Sequence, residues 1–300
     1  MGKDIGIVGL GRMGLPAAKL LIRKGYTVVG YDRDAVALDD LAAAGGMAAS
    51  DVKAVAEKAD TIIVFVLNGE QVQTVINGKS GLLTGVREGA CIICMSTIRR
   101  AQLEQIAAQC SKRNVAFVDC PCTGGPGRAE NGTLTMIAAG KKEAMDRCRP
   151  ILENLGTIVP VGEVPGMGQA VKHCNQLLVS VTHAAVIEVI LMARRAGLDE
   201  RQVCEIIGSG VGGSDYFKLL SASIIDKSAA PCAMALMCKD SNIVVESSRS
   251  MQLPLLVAGA ANHYFLAAES LGLENEESSE LMKVVERFSQ PRDLNESQPG

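Results

Sequence analysis

The chain contains no tryptophan, and its aromatic residues together make up only 3% of it. So few rings argue against a surface that grips nucleic acid by stacking on bases. A surplus of basic charge is missing too. Thirty Lys and Arg stand against thirty-three Asp and Glu, for a net charge of −3 and a pI near 5.8. That leaves no electrostatic case for nucleic acid or an anionic membrane surface as partner. The start lacks a basic segment followed by a long apolar run; residues 5–8 are too short for a leader and read as a buried strand. The longest mostly apolar stretch, residues 176–193, is broken by Ser180, Thr182, His183 and Glu188. It reads as a buried helix rather than a membrane span. A cytoplasmic protein with no membrane partner is expected.

Histidine is scarce, with three in all, while cysteine is plentiful at ten. The cysteines are scattered, and Cys91, Cys94, Cys120, Cys122 and Cys174 fall in or beside apolar runs. Cys91-Ile92-Ile93-Cys94 has C-x-x-C spacing, but inside a strand pattern its two side chains point to opposite faces. No metal site and no disulfide framework are expected. Free buried thiols in a reducing compartment account for them.

What is present begins at once. Residues 5–8 form an apolar strand-like run, followed directly by Gly9-Leu10-Gly11-Arg12-Met13-Gly14, a complete G-x-G-x-x-G. A helical pattern follows, closed by Lys24-Gly25, and then a second β-type run, residues 27–31, ending in Asp32. This is a βαβ unit with its glycines and acid where a dinucleotide needs them. Gly9 permits the tight turn, Gly11 lets backbone approach a pyrophosphate, and Gly14 lets the helix pack on the strand. The helix N-terminus offers N–H groups to the phosphates. Asp32 stands 18 residues after Gly14, close to the ~20 expected for the acid that binds a ribose 2′-hydroxyl. A carboxylate there repels a 2′-phosphate, so NAD is expected over NADP. Arg33 is the counter-signal, since a guanidinium can hold a 2′-phosphate or stack on adenine.

Three hundred residues suggest two domains. Strand-like runs at residues 61–67, 90–95, 115–119, 133–138 and 158–161 alternate with helical patterns. The first domain is therefore expected to be an α/β, doubly wound, mostly parallel sheet over residues 1–165. From residue 168 to about 195 the pattern is one long apolar helix. Beyond it only helical patterns appear, near residues 199–208, 214–226, 234–250, 254–271 and 276–288. An all-α second domain over residues 166–289, for substrate and oligomerisation, is expected, with a polar, disordered tail over 290–300. With many apolar helix faces in that domain, a homodimer or homotetramer is expected.

Three further constellations carry chemistry. Residues 119–135 begin at the end of a strand, where ligands bind in an open α/β sheet. There Thr123 offers a hydroxyl, and Gly124-Gly125 can expose successive N–H groups as a nest for a carboxylate. The second opens the long helix. Lys172 and Asn175 are i and i+3, so they share a face, with Gln176 at its border; a lysine so placed can move a proton. His173 points about 100° away and reads as structural. The third is Lys239-Asp240, interrupting an apolar helical run. Ser96-Thr97 at a strand end is suggestive and unspecific.

Taken in order, these motifs resemble those of the β-hydroxyacid dehydrogenase family over residues 4–288. Residues 9–14 are similar to its G-x-G-x-M-G loop, 119–135 to its D-x-P-x-S-G-G substrate motif, 166–175 to G-x-G-x-x-x-K-x-x-N, and Lys239-Asp240 to its late K-D motif. The resemblance implies a Rossmann domain followed by an all-α domain. It implies NAD-dependent interconversion of a short 3-hydroxy acid and its semialdehyde or keto acid. It gives Lys172 the general acid–base role, the substrate carboxylate to Thr123, Gly124 and Gly125, and the hydroxyl or carboxylate to Asn175. The cofactor falls to Gly9, Leu10, Gly11, Arg12, Met13, Gly14, Asp32, Arg33, Leu67, Asn68, Thr97 and Lys239. Two departures bear on substrate. Thr123 replaces the usual serine and keeps the hydroxyl. Arg128 stands where the family commonly has glycine and adds a cation to the substrate loop, which suits a four-carbon sugar acid such as threonate or a doubly anionic acid. The alternatives are an imine reductase-like enzyme or a non-catalytic NAD-binding protein on this fold; such members usually lack the lysine.

Overall fold

A computed structural model describes residues 4–288, so the tail expected at 290–300 lies outside the described residues. The chain forms two compact units, Met1–Cys174 and Asn175–Gly300.

The first unit runs β1 (Asp4–Val8), α1 (Gly14–Arg23), β2 (Thr27–Tyr31), α2 (Ala35–Ala43), β3 (Met47–Ala48), α3 (Val52–Lys58), β4 (Thr61–Val64), α4 (Gly69–Asn77), β5 (Cys91–Cys94), α5 (Arg100–Ser111), β6 (Ala116–Asp119), β7 (Cys122–Thr123), α6 (Gly125–Asn131), β8 (Leu134–Ala139), α7 (Lys142–Leu155) and β9 (Gly156–Gly162). The strands order as β3-β2-β1-β4-β5-β6-β8-β7, with β9 on the other pairing of β8. β3 through β6 are parallel neighbours, β8 runs antiparallel to β6 and β7, and β9 is parallel to β8. The expected doubly wound, mostly parallel sheet is what forms. Strand order reverses at β1, which lies between β2 and β4, so the chain leaves the sheet there in two directions and opens a crevice.

The side chains of each strand alternate between two cores. Ile5, Ile7, Val28, Ile63, Cys91 and Ile93 face α1, α6 and α7, where Ala17, Leu21, Ala129, Met145, Cys148 and Leu152 meet them. Val29, Ile62, Val64, Ile92 and Cys94 face α3, α4 and α5, against Val55, Val72, Ile76, Leu103 and Ile106. Cys91 and Cys94 therefore lie in different cores, as alternation requires, and Cys91 Sγ sits 3.1 Å from Cys148 Sγ. All ten thiols are free, but Cys174 is exposed and Cys232 only half-buried, against the expectation of buried cysteines throughout. Cys174 is two residues from buried Lys172, about 200° around the helix, and so takes the opposite face.

One local expectation is corrected. β4 ends at Val64 rather than 67. Phe65 N–H still bonds Val8 O at 2.8 Å, and Asn68 then caps α4 by accepting the Gln71 N–H at 2.9 Å, which turns the chain out of the sheet. The stretch 119–135 contains β7 and a helix, α6, whose Ala129 is fully buried in the first core.

The long helix α8 (Met167–Arg195) begins in the first unit and continues into the second. It is long and apolar enough to cross a membrane, yet Val186, Ile187 and Ile190 are spent on the core of the second unit. There it is joined by α9 (Glu200–Ser209), α10 (Asp215–Ile225), α11 (Met234–Ser250), α12 (Leu256–Ser270) and α13 (Met282–Phe288). Phe217, Leu220, Met234, Met237, Phe265 and Leu281 complete that core. Asp199 and Ser214 cap α9 and α10 with their side chains.

His183, fully buried on α8, threads this core with polar contacts. Its Nε2–H donates to Ser278 O at 2.9 Å, so its bare Nδ1 accepts from the Tyr216 hydroxyl at 2.8 Å. A carbonyl can only accept, and that settles the tautomer. Burial holds the imidazole down at about 4.

Candidate active site

The glycine loop follows β1. Gly9 has φ +97°, and a Cβ there would stand 2.5 Å from Phe65 O. A Cβ on Gly14 would stand 1.9 Å from Gly9 O, so both glycines are required by the protein's own backbone. Gly11 differs: a Cβ on it would meet nothing within 4 Å. Nothing in the protein demands that glycine, whereas a phosphate laid along the backbone would. α1 also starts without a side-chain cap and without an acid in its first turn, among the described residues. By contrast Asp34, Asp51 and Asn68 cap α2, α3 and α4. An uncapped N-terminus behind a glycine loop suits an anion. Leu10 is buried, Met13 half-buried and Arg12 exposed.

The carboxyl ends of β2, β1, β4 and β5 lie side by side, and they bring the expected cofactor residues into one row. Asp32, at the end of β2, accepts the N–H of Leu10 at 2.6 Å and that of Asp34 at 3.0 Å. Arg33 is exposed beside it. Leu67 follows β4; its N–H donates to Gln71 Oε1 at 2.9 Å, so Leu67 and Asn68 are held by the first turn of α4. Thr97 follows β5, between buried Ser96 and Ile98. These residues fit a dinucleotide.

The substrate motif starts at the end of β6. Asp119 is fully buried there, and burial raises its carboxyl above the usual range, while hydrogen bonds from Gln169, Gly166 and Gly168 pull it back. Thr123 ends β7, and Gly124 and Gly125 follow with φ +133° and +75°. Successive positive φ values turn the chain sharply into α6. Arg128 lies on α6 and is exposed, with its aliphatic stem over Gly124; a Cβ on Gly124 would sit 2.7 Å from Arg128 Cδ.

Lys172 is buried, with 7% of its surface exposed. Burial pushes the neighbouring Cys122 thiol up to about 11, and the Lys172 charge draws it back down. The first turn of the Lys172 helix bonds the head of the substrate motif: Gly166 N–H and Gln169 N–H both donate to Asp119 Oδ2, at 2.8 and 3.1 Å. His173 bonds Ile98 O through Nε2 at 3.0 Å, in keeping with its structural reading.

In the second unit Asn175, Gln176, Lys239 and Asp240 form one polar chain. Asn175 Nδ2 donates to Gln176 Oε1 at 2.8 Å, and Gln176 Nε2 donates to Asp240 Oδ2 at 2.5 Å. Lys239 Nζ pairs with Asp240 Oδ1 at 2.9 Å. Because Asp240 as a carboxylate only accepts, both amides are oriented: Asn175 gives an N–H to Gln176 and keeps its carbonyl oxygen for another donor. Sequence spacing links Lys172 with Asn175 but gives no sign that Gln176 and Asp240 set the amide's direction.

The profile of the NAD binding domain of 6-phosphogluconate dehydrogenase matches residues 4–171. That of the NAD-binding region of NADP-dependent 3-hydroxyisobutyrate dehydrogenase matches residues 166–285. L-threonate dehydrogenase of Escherichia coli strain K12 is 32% identical over 290 residues, 96% of each chain. 2-(Hydroxymethyl)glutarate dehydrogenase of Eubacterium barkeri is 31% identical over 95% of each. The crystal structure of 3-hydroxyisobutyrate dehydrogenase from Salmonella typhimurium superposes with a TM-score of 0.88 at 30% identity, covering 94% of this chain and 99% of that one. Likeness that runs through both halves of the chain and takes in the glycine loop and the lysine helix alike makes this protein a member of the β-hydroxyacid dehydrogenase family, an NAD(P)-dependent oxidoreductase of hydroxy acids.

Proposed function

We propose that this enzyme oxidises a short hydroxy acid, a four-carbon sugar acid such as threonate or a doubly anionic acid, with NAD in preference to NADP. The observation that carries the reading is Lys172 itself, a lysine buried on the helix whose first turn Asp119 caps from the end of β6, where the substrate motif begins. NAD, when bound, supplies the hydride acceptor. Gly9 to Gly14 and the uncapped start of α1 hold its phosphates, Asp32 its adenosine ribose, and Leu67, Asn68 and Thr97 its nicotinamide side. Thr123 and the N–H groups of Gly124 and Gly125 bind and orient the substrate carboxylate. Lys172 Nζ takes the proton from the substrate hydroxyl oxygen, and returns it in the reverse direction. Asn175 offers its carbonyl oxygen to a substrate hydroxyl, and Lys239 serves the cofactor.

Residues 1–165 are the dinucleotide-binding domain on this reading, and 166–289 the substrate and oligomerisation domain. Support for a homodimer or homotetramer comes from the second unit's exposed apolar residues, Leu178, Met192, Leu256 and Val257 at 66%, 76%, 82% and 65%, the kind of surface a partner copy covers. Ten free thiols suit the cytoplasm. The names of the threonate and (hydroxymethyl)glutarate enzymes favour a substrate with more polar groups than a simple monoacid. The test is a panel of hydroxy acids, with threonate, (hydroxymethyl)glutarate and 3-hydroxyisobutyrate among them, each offered with NAD and with NADP. Turnover with threonate or a diacid and NAD is expected; no reduction of either cofactor across the panel overturns the reading.

A further inference from the structure

Gln169 stands one turn before Lys172 on α8 and is fully buried. Its side-chain amide spends every group it has. Nε2 donates to Asp119 Oδ1 at 3.0 Å and to Ser96 O at 3.1 Å, and Oε1 accepts the Ile98 N–H at 2.9 Å. Its backbone N–H donates to Asp119 Oδ2 at 3.1 Å, the oxygen that also accepts Gly166 N–H at 2.8 Å. Asp119 is therefore the cap of α8, supplied from the end of β6 rather than from the helix's own entry. The approach is close: a Cβ on Gly168 would sit 2.9 Å from Asp119 Cγ and 2.8 Å from Ile137 O.

The three anchors are not arbitrary. Ser96 and Ile98 flank Thr97. Asp119 begins the segment that leads to Thr123. Gln169 is i−3 from Lys172 and so shares its helix face. One amide thus joins the ends of β5 and β6 to the turn of α8 that carries the lysine. With three partners held, rotation of that turn or its slide along the helix axis breaks buried hydrogen bonds that no water can replace.

We propose that Gln169 is the positioning residue of the proton transfer, fixing Lys172 against the substrate and cofactor loops through Asp119, Ser96 and Ile98; this rests on the general acid–base role of Lys172 given above. Gln169 itself touches neither substrate nor cofactor. Its effect falls on kcat, because misplacing a reacting group by about 1 Å can cost on the order of 10²-fold.

Two variants test it. Gln169→Met keeps the volume and removes the bonds. A kcat about 10- to 100-fold lower is expected, with the NAD dissociation constant, measured by fluorescence titration, within about threefold. Gln169→Glu sets a second carboxyl against Asp119, so the two share one proton. While that proton is held, the single carboxyl O–H replaces the amide's bond to Asp119 and only the bond to Ser96 O is lost; once the proton leaves, two buried carboxylates repel and the turn is pushed away. The ratio of Gln169→Glu to wild-type kcat should fall at least about tenfold from pH 6 to pH 9, which a merely structural substitution would not produce. A Gln169→Met kcat within threefold of wild type, or a flat Gln169→Glu ratio, overturns the proposal. Lys172→Ala is assayed in parallel. If it keeps full kcat, the acid–base reading beneath the proposal fails, a result distinct from a silent Gln169→Met beside an inactive Lys172→Ala.

Discussion

The carboxylate of Asp32 accepts the backbone N–H of Leu10 at 2.6 Å. The acid at the end of β2 and the glycine loop at the end of β1 are therefore one hydrogen-bonded piece. On the proposed reading Asp32 does two things at once: it presents a negative charge to the adenosine ribose, and it holds the loop proposed to take the phosphates.

Two substitutions separate these jobs. Asp32→Asn removes the charge and keeps a carbonyl oxygen for Leu10. It should move the ratio of kcat/KM for NADP over NAD towards NADP, with Arg33 supplying the cation. Asp32→Ala loses the Leu10 bond as well and should weaken both cofactors. Steady-state kinetics with each cofactor check this. A wild-type preference for NADP would contradict it.

Lys172→Ala should lower kcat by about 10²–10⁴-fold, the usual worth of a positioned acid–base group. Cofactor affinity should stay near wild type, because the glycine loop is untouched. Rapid-mixing kinetics of NADH formation, with binding measured separately, distinguish the two effects.

Arg128 is predicted to read the distal part of the substrate. Its stem lies over Gly124, and its guanidinium has the fixed donors that suit a second carboxylate or vicinal hydroxyls. Arg128→Gln keeps the stem and removes the charge. A loss of about 1.5–3 kcal/mol in kcat/KM is expected for doubly anionic or polyhydroxy acids, with small monoacids unaffected. Equal losses on both kinds of substrate would make Arg128 an ordinary surface residue.

His183 makes the second unit sensitive to acid. Its imidazole is neutral in the fold and held at about 4, whereas in the unfolded chain it titrates near 6.5. Below that value the unfolded chain binds a proton that the folded one refuses. The contribution is thus whole above pH 6.5 and drains away as pH falls towards 4, by about 3 kcal/mol in total. His183→Gln can still donate to Ser278 O and accept from the Tyr216 hydroxyl, but has nothing to titrate. Urea midpoints measured from pH 7 to pH 4 should fall more steeply for wild type than for His183→Gln; parallel curves would rule this out.

Much of the fold was legible because its determinants are local. The βαβ unit, with Gly9, Gly14 and Asp32 in place, follows from glycine positions and from periods of 2 and 3.6 residues within some thirty positions. The opposed faces of Cys91 and Cys94 follow from strand alternation alone, and residues 234–250 show their helix in their own pattern. Helix geometry alone pairs Lys172 with Asn175. Other features depend on partners far along the chain. Residues 125–131 form a helix that their own pattern does not announce, because Ala129 has a place in a core built by α1 and α7. β8 runs against β6, a direction its own residues do not encode. The bond between Gln169 and Asp119 spans 50 residues, and that between His183 and Ser278 spans 95. Composition and spacing identify what each residue can donate, accept or bury. Only the packed tertiary structure, by excluding water, decides which distant group it must satisfy, and so which amide aims the lysine.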